Sequence, residues 1–247
     1  MPTTIPHVPL GTGIYYPAEA ARLIHLHPSR LRRWVRGYTY WSHQRRTDQR
    51  HRLPPVLVTV GTSDLPVIDR TAALSFLELM ELRVVASLVD EHEIPLQTVR
   101  RAADAAKRLF ETKYPFASRR IWVERRRIFA SLSRTDQEEI AEITRHANGQ
   151  LGWSTILQPL LRDVEFDVAT FLTKRWWPLG PSEPIVLDPA ICFGAPCVNG
   201  TRVRTVVVAG MVAASSVTEA AEAYDISREA VAAACRFEVE LHRHASM

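Results

Sequence analysis

The sequence predicts a mainly α fold with small β hairpins, and three observations predict it. Helical periodicity of apolar residues recurs in segments that open on prolines or Ser/Thr caps. The stretches that alternate as strands do are brief and bounded by turn residues. A chain of 247 residues with 46% hydrophobic side chains has room for two packed units and a linker.

The segment Pro17–Ile24 places Ala20, Leu23 and Ile24 on one side of a short helix that begins at a proline. The sequence HLH then turns the chain, His27 and Pro28 open a second helix, and Gly37 closes it, so the pair reads as helix, short turn, helix. At about 100° per residue, Leu31, Trp34 and Val35 share one face of the second helix, while Arg30, Arg32, Arg33 and Arg36 spread over the other. All four guanidinium groups are therefore expected to point away from the core. From Tyr38 to Val60, aromatic, basic and β-branched residues alternate as in a hairpin-like wing with a long basic loop.

Ser75 and Glu78 form a capping box for a helix running to about Asp90, with Phe76, Leu79, Met80, Val84 and Leu88 inside. A partner helix starts near Pro95 and presents Leu96, Val99, Ala103, Ala106 and Phe110, so the two are expected to pack as a pair across the acidic DEHE turn. SRRIWVERRRIFA, residues 118–130, suggests a hairpin carrying five arginines, which fits either a DNA-backbone contact or a solvated face. Thr135 and Glu138 form a second capping box, predicting a helix to about His146 ended at Asn148-Gly149. Two strands in VEFDVATFLTKRWWPLG then precede a proline-rich linker. The expected division is 1–130, a connecting region 131–182, and 183–247.

In the last part, Asn199-Gly200 reads as a two-residue hairpin turn, with both central residues at positive φ. Ser216 and Ser227 are placed to cap two helices with Tyr224-Asp225 turning between them, which makes a second, acidic helix-turn-helix.

Charge is segregated. Residues 1–60 carry nine arginines against Glu19 and Asp48, residues 61–180 balance at 17 basic and 17 acidic, and residues 181–247 hold five basic and eight acidic. Arginines outnumber lysines 28 to 3, which codon bias explains; it does not explain their location. A polyanion is the expected partner of the basic end, and the acidic end suits a protein. The longest apolar run, Val206–Ala214, is too short for a bilayer, and the first ten residues lack the pattern of a signal peptide, so a cytoplasmic protein without a membrane role is expected. Cys192, Cys197 and Cys235 contain no CxxC pair and read as reduced thiols rather than metal ligands. No GxxxxGK[ST], GxGxxG, HExxH or GxSxG occurs, so no enzyme, cofactor or metal is expected.

YYPAEAARLIHLHPSRLRRWVRG, followed by LSFLELMELRVVASLVDEHEIPLQTVRRAADAAK, resembles the winged helix-turn-helix of the MerR-like regulators, with a longer wing than is usual there. Residues 185–238, with Asp188-Pro189, Gly194, Pro196, NGTRV and a closing helix pair, are similar to a small helical domain of bacterial antitoxins long filed as of unknown function. The combination resembles antitoxins of the VapB type. That resemblance implies a MerR-like winged helix-turn-helix domain that represses its own operator and a small helical helix-turn-helix C-terminal domain that neutralises a PIN-like ribonuclease toxin. The alternative is a stand-alone MerR-like transcriptional regulator. In helix-turn-helix docking, Ser29, Arg30, Arg32 and Arg33 would read base edges, with Arg36, Arg45 and Arg46 on phosphates and the wing aromatics Tyr38 and Tyr40 as further DNA-binding candidates. Such proteins bind paired half-sites, so a homodimer is expected. Arg202, Arg204 and Arg236 are the candidates for forking onto the carboxylates of the toxin.

Overall fold

The computed structural model describes residues 11–42, 49–53, 55–56, 67–68, 71–124, 127–131, 140–142, 158–159 and 161–243. Among them the fold is mainly helical with small antiparallel hairpins. In chain order the elements are α1 (Pro17–Leu23), α2 (Pro28–Arg36), β1 (Tyr38–Ser42), β2 (Gln49–Leu53), β3 (Val67–Ile68), β4 (Thr71–Ala72), α3 (Phe76–Asp90) and α4 (Leu96–Phe110). β5 (Ile121–Glu124), β6 (Arg127–Ser131), β7 (Ile140–Glu142), β8 (Gln158–Pro159), β9 (Val164–Phe166), β10 (Thr173–Trp176), β11 (Ile185–Val186) and β12 (Cys197–Val198) follow, and α5 (Thr205–Ala214), α6 (Val217–Tyr224) and α7 (Arg228–Arg243) close the chain.

α3 is the strut of the N-terminal half. Its capping box is formed: the Ser75 hydroxyl accepts from the Glu78 N–H and the Glu78 carboxylate accepts from the Ser75 N–H at 2.7 Å. Ten of its 15 residues are buried, because α1 and α2, α4 and the β5–β6 hairpin all contribute to the core around it. Among them is Glu81. Its Oε1 accepts the N–H groups of Phe116 and Ala117, fastening the chain after α4 to the middle of the strut. Its Oε2 is buried without a hydrogen-bond partner among the described residues, and desolvation pushes the carboxyl up to about 8 despite those two bonds.

The β5–β6 hairpin forms as expected, in the four-stranded order β7-β6-β5-β8. A helix over 135–146 does not. Ile140–Glu142 is instead β7, antiparallel to β6 with Ala130 opposite Ala141. The open edge of β6 offers unpaired backbone groups, and pairing there overrides a local helical pattern. Thr135, Glu138 and Asn148-Gly149 lie outside the described residues.

The C-terminal unit follows its caps. Ser216 Oγ accepts from Glu219 N–H, Ser227 Oγ accepts from Ala230 N–H, and Asp225 takes φ 50° between the helices. The turn expected at Asn199-Gly200 forms, with Thr201 N–H donating to Val198 C=O at 3.1 Å, but only Gly200 of its two central residues has positive φ, and the next bond, from Val198 N–H to Val203 C=O, spans four intervening residues. The strand Cys197–Val198 pairs on one side with Ile185–Val186 and on the other, through the Cys197–Arg204 bridge, with the chain that leads into α5.

One seam joins the halves. Tyr15 is fully buried, pairs its backbone with Leu74, and donates its hydroxyl to Gly194 C=O at 2.7 Å, while Ile14 N–H donates to Phe193 C=O at 2.9 Å. Burial raises the Tyr15 phenol well above its ordinary value, so it stays a donor. Cys192, Phe193 and Gly194 run consecutively at positive φ.

Two outcomes check these contacts. A Cβ on Gly194, at φ 83°, would overlap the Tyr15 hydroxyl, so Gly194→Ala should cost roughly 1–3 kcal/mol by denaturant titration. Folding keeps Glu81 protonated, so its stabilising share is complete below the ordinary carboxyl value of 4.5 and is lost as pH rises toward about 8. Glu81→Gln should remove a slope of up to about 1.4 kcal/mol per pH unit across that window.

Candidate nucleic-acid interface

α2 is amphipathic by spacing, and the fold uses that spacing as expected. Leu31, Trp34 and Val35 are buried, and Arg32, Arg33 and Arg36 are exposed. His27 caps the helix: its Nδ1 accepts the Ser29 N–H at 3.2 Å and lies 2.8 Å from the Ser29 hydroxyl. Ser29, expected at a base edge, thus has its hydroxyl on the cap.

Arg30 departs from the expectation that every guanidinium points outward. It forks onto Asp90, the last residue of α3, through Nη1–Oδ2 at 2.8 Å and Nη2–Oδ1 at 2.7 Å, and stacks over Trp34 at 4.6 Å. The wheel places a residue on a face but cannot see that the end of α3 lies opposite that face. Arg30 therefore sets the angle of α2 against the strut. Exposed Arg33 lies 5.8 Å from the Tyr38 ring, which couples the helix to the first residue of the wing.

The wing is an antiparallel hairpin with Tyr38 opposite Leu53 and Ser42 opposite Gln49. Tyr40 occupies the register position across from His51. Arg45 and Arg46 lie outside the described residues. The chain returns to α2 where Val56 N–H donates to Trp34 C=O at 2.8 Å. Between helix and wing, Arg36, Gly37, Tyr38, Thr39 and Arg52 line a cleft of about 290 Å³. Arg52 is missing from the residues expected by sequence. Its signal was strand register, since pairing with Thr39 brings it beside the end of α2, whereas linear spacing leaves it 16 residues from Arg36. A cleft walled by two guanidinium groups suits a phosphate.

In the C-terminal unit, Arg202 and Arg204 are exposed, and Arg236 ion-pairs with Glu183 at 2.7 Å. The apolar run Val206–Ala214 becomes α5, of which only Thr205 and Val208 are buried. A groove of about 590 Å³ between α5 and α7 is lined by Ala209, Val212, Cys235, Val239 and His242, among others. A helix apolar all round yet largely exposed is the signal that sequence reasoning used only to exclude a membrane span. Among the described residues no helix is long and apolar enough to cross a membrane.

Comparisons agree with this layout. Residues 13–103 match a family model described as "Putative DNA-binding HTH domain", and residues 185–237 match "Protein of unknown function (DUF433)". The chain is thus similar to putative DNA-binding helix-turn-helix domains over its first part and to DUF433 proteins over its last. Among particular proteins, the uncharacterized Rv2308 of Mycobacterium tuberculosis is 28% identical over 210 residues, 82% of this chain and 80% of that protein. The crystal structure of Rv2018 from the same organism shares the fold, with a TM-score of 0.59 at 17% identity over 92% of this chain and 99% of that one.

The ion pair is testable through helix placement. Asp90→Ala should lower stability by up to about 1 kcal/mol, as expected for an exposed bidentate pair, and should weaken DNA binding more than that loss of folded fraction explains. A double-mutant cycle with Arg30→Ala, read by fluorescence anisotropy, should show the two substitutions to be non-additive.

Proposed function

We propose that this chain is an antitoxin-type autorepressor: α2 and the β1–β2 wing bind operator DNA, and the C-terminal unit neutralises a PIN-like ribonuclease. The observation that carries the DNA half is the exposed Arg32, Arg33 and Arg36 face beside the Arg36–Arg52 cleft, on a helix held by its buried stripe and by Arg30. The segregated positive charge and the helix-turn-helix match support it. In this reading Arg32 and Arg33 reach base edges, Arg36 and Arg52 hold phosphates, and two copies bind paired half-sites in the cytoplasm. No catalytic step belongs to it.

The toxin half rests on the antitoxin resemblance and on the exposed apolar surface of α5 beside the acidic α6–α7 pair. Arg202 and Arg204 remain available to carboxylates of such a partner. The alternative, a stand-alone MerR-like regulator, draws support from a cavity of about 560 Å³ at the seam, lined by Thr12, Phe76, Tyr114, Lys174, Arg175 and Asp188 among others, which is large enough for a small effector.

One measurement tests the base reading that both share, and a second separates them. Arg33→Ala should cost about 1–3 kcal/mol on the selected operator and much less on random duplex; equal losses on both refute base reading. Affinity purification from the native host should bring down a small nuclease with a carboxylate-rich active site, and recovery of the chain alone favours the regulator.

A further inference from the structure

Five stretches far apart in the sequence meet beside the Tyr15 seam: Gly11–Thr12, Ser75–Leu77, Tyr114, the β9–β10 hairpin and Asp188–Ala190. They line the cavity of about 560 Å³, a volume usual for small-molecule sites, which favour the junctions between structural units. Its walls are fixed. Thr12 C=O accepts the Phe76 N–H at 2.9 Å, which ties the N-terminal wall to the first turn of α3, and Thr173 N–H donates to Ala117 C=O at 2.8 Å, which ties the hairpin to the chain after α4.

The charges of the cavity are already paired. Lys174 and Arg175 both reach Glu165, at 2.9 and 3.5 Å, and Arg175 Nε also donates to Asp188 at 2.7 Å. Asp188 accepts from the Ala190 N–H as well, and Asp167 accepts from the Ala169 and Thr170 N–H groups and from the Thr170 hydroxyl. A ligand ion would have to displace one of these bonds or sit desolvated without a counter-charge, and either is costly. Burial raises the Tyr114 phenol above its ordinary value, so that lining group stays neutral too. What remains is apolar wall from Phe76, Leu77, Leu172 and Pro189, together with the hydroxyl-bearing Thr12 and Tyr114.

We infer that this cavity is a binding site for one uncharged, ring-bearing small molecule with a hydroxyl or amide group, held against both halves of the chain. The inference rests on the small-effector reading of the cavity given above and names its ligand class; it needs neither the operator nor the toxin. A ring suits the Phe76 and Pro189 walls, and a hydroxyl or amide can exchange hydrogen bonds with neutral hydroxyls without disturbing an ion pair.

The test uses the full chain and Nile red, an uncharged fused-ring dye whose emission shifts to the blue in apolar surroundings. One dye should bind per chain. Ala190 is exposed, so Ala190→Trp should fill space in the cavity without disturbing the core and weaken binding by about tenfold or more, whereas Ala190→Ser should bind as the unaltered chain does. Ala213→Trp, in the groove between α5 and α7, should also leave binding unchanged. Three competitors of nearly one shape then read the charge: indole-3-acetamide, indole-3-acetate and tryptamine. The amide should displace the dye at concentrations about tenfold below either ion. Absence of dye binding, loss of binding with Ala213→Trp instead of Ala190→Trp, or an amide that competes no better than the ions overturns the inference. Dye that binds as expected without altering affinity for the selected operator refutes the effector reading and leaves the site standing.

Discussion

A buried phenol ties together the two halves of this molecule at the start of its first helix. Tyr15 sits two residues ahead of α1, pairs its backbone with Leu74 just before α3, and spends its hydroxyl on Gly194 C=O in the C-terminal unit. The start of the helix-turn-helix, the start of the strut and the strained Cys192–Gly194 turn therefore meet at one side chain. Only glycine fits at 194, both for its positive φ and because a Cβ would occupy the place of the hydroxyl. Anything that repositions this turn is felt at the first helix of the helix-turn-helix unit, through a hydrogen bond and a backbone pair rather than through a flexible tether.

From that seam α3 transmits geometry in the other direction. Its first turn is closed by Ser75 and Glu78, its middle holds the chain after α4 through Glu81, its outer flank pairs Arg83 with Asp163 at 2.8 Å, and its last residue holds Arg30. Asp163 also accepts from the Trp176 indole at 2.8 Å, so the β9–β10 hairpin is fixed to the same helix. Polar side chains set the orientation of each attached element, while the apolar contacts supply most of the stability. The exposed arginine face of α2 is thereby presented at a fixed angle, and an interface of separate phosphate contacts requires such rigidity.

Legibility followed the range of the interaction. Both helices of the helix-turn-helix, the capping box at Ser75, the buried positions of α3 and the caps of α6 and α7 were readable, because spacing and capping act within one or two turns of chain. β7 was read as helix because what decides it is the open edge of β6, some ten residues away. The Asn199-Gly200 turn was legible from its residues, whereas the second pairing of the strand before it, with β11, was not. In the candidate site, Arg32, Arg33 and Arg36 were legible as a face, whereas Arg30 and Arg52 were not: one answers to Asp90, 60 residues on, and the other to strand register.

By itself, then, the sequence determined where the helices begin and end, which faces are apolar, and where positive charge concentrates, since periodicity, caps and formal charge are local properties of the chain. Tertiary structure alone decided which arginines remain outward and which become struts, that Glu81 is taken into the core as a neutral acid, and that α5 lies largely uncovered despite its apolar sequence. Those outcomes depend on what another part of the chain places within about 3 Å of a polar group, or fails to place over an apolar one, and one-dimensional spacing carries no such information.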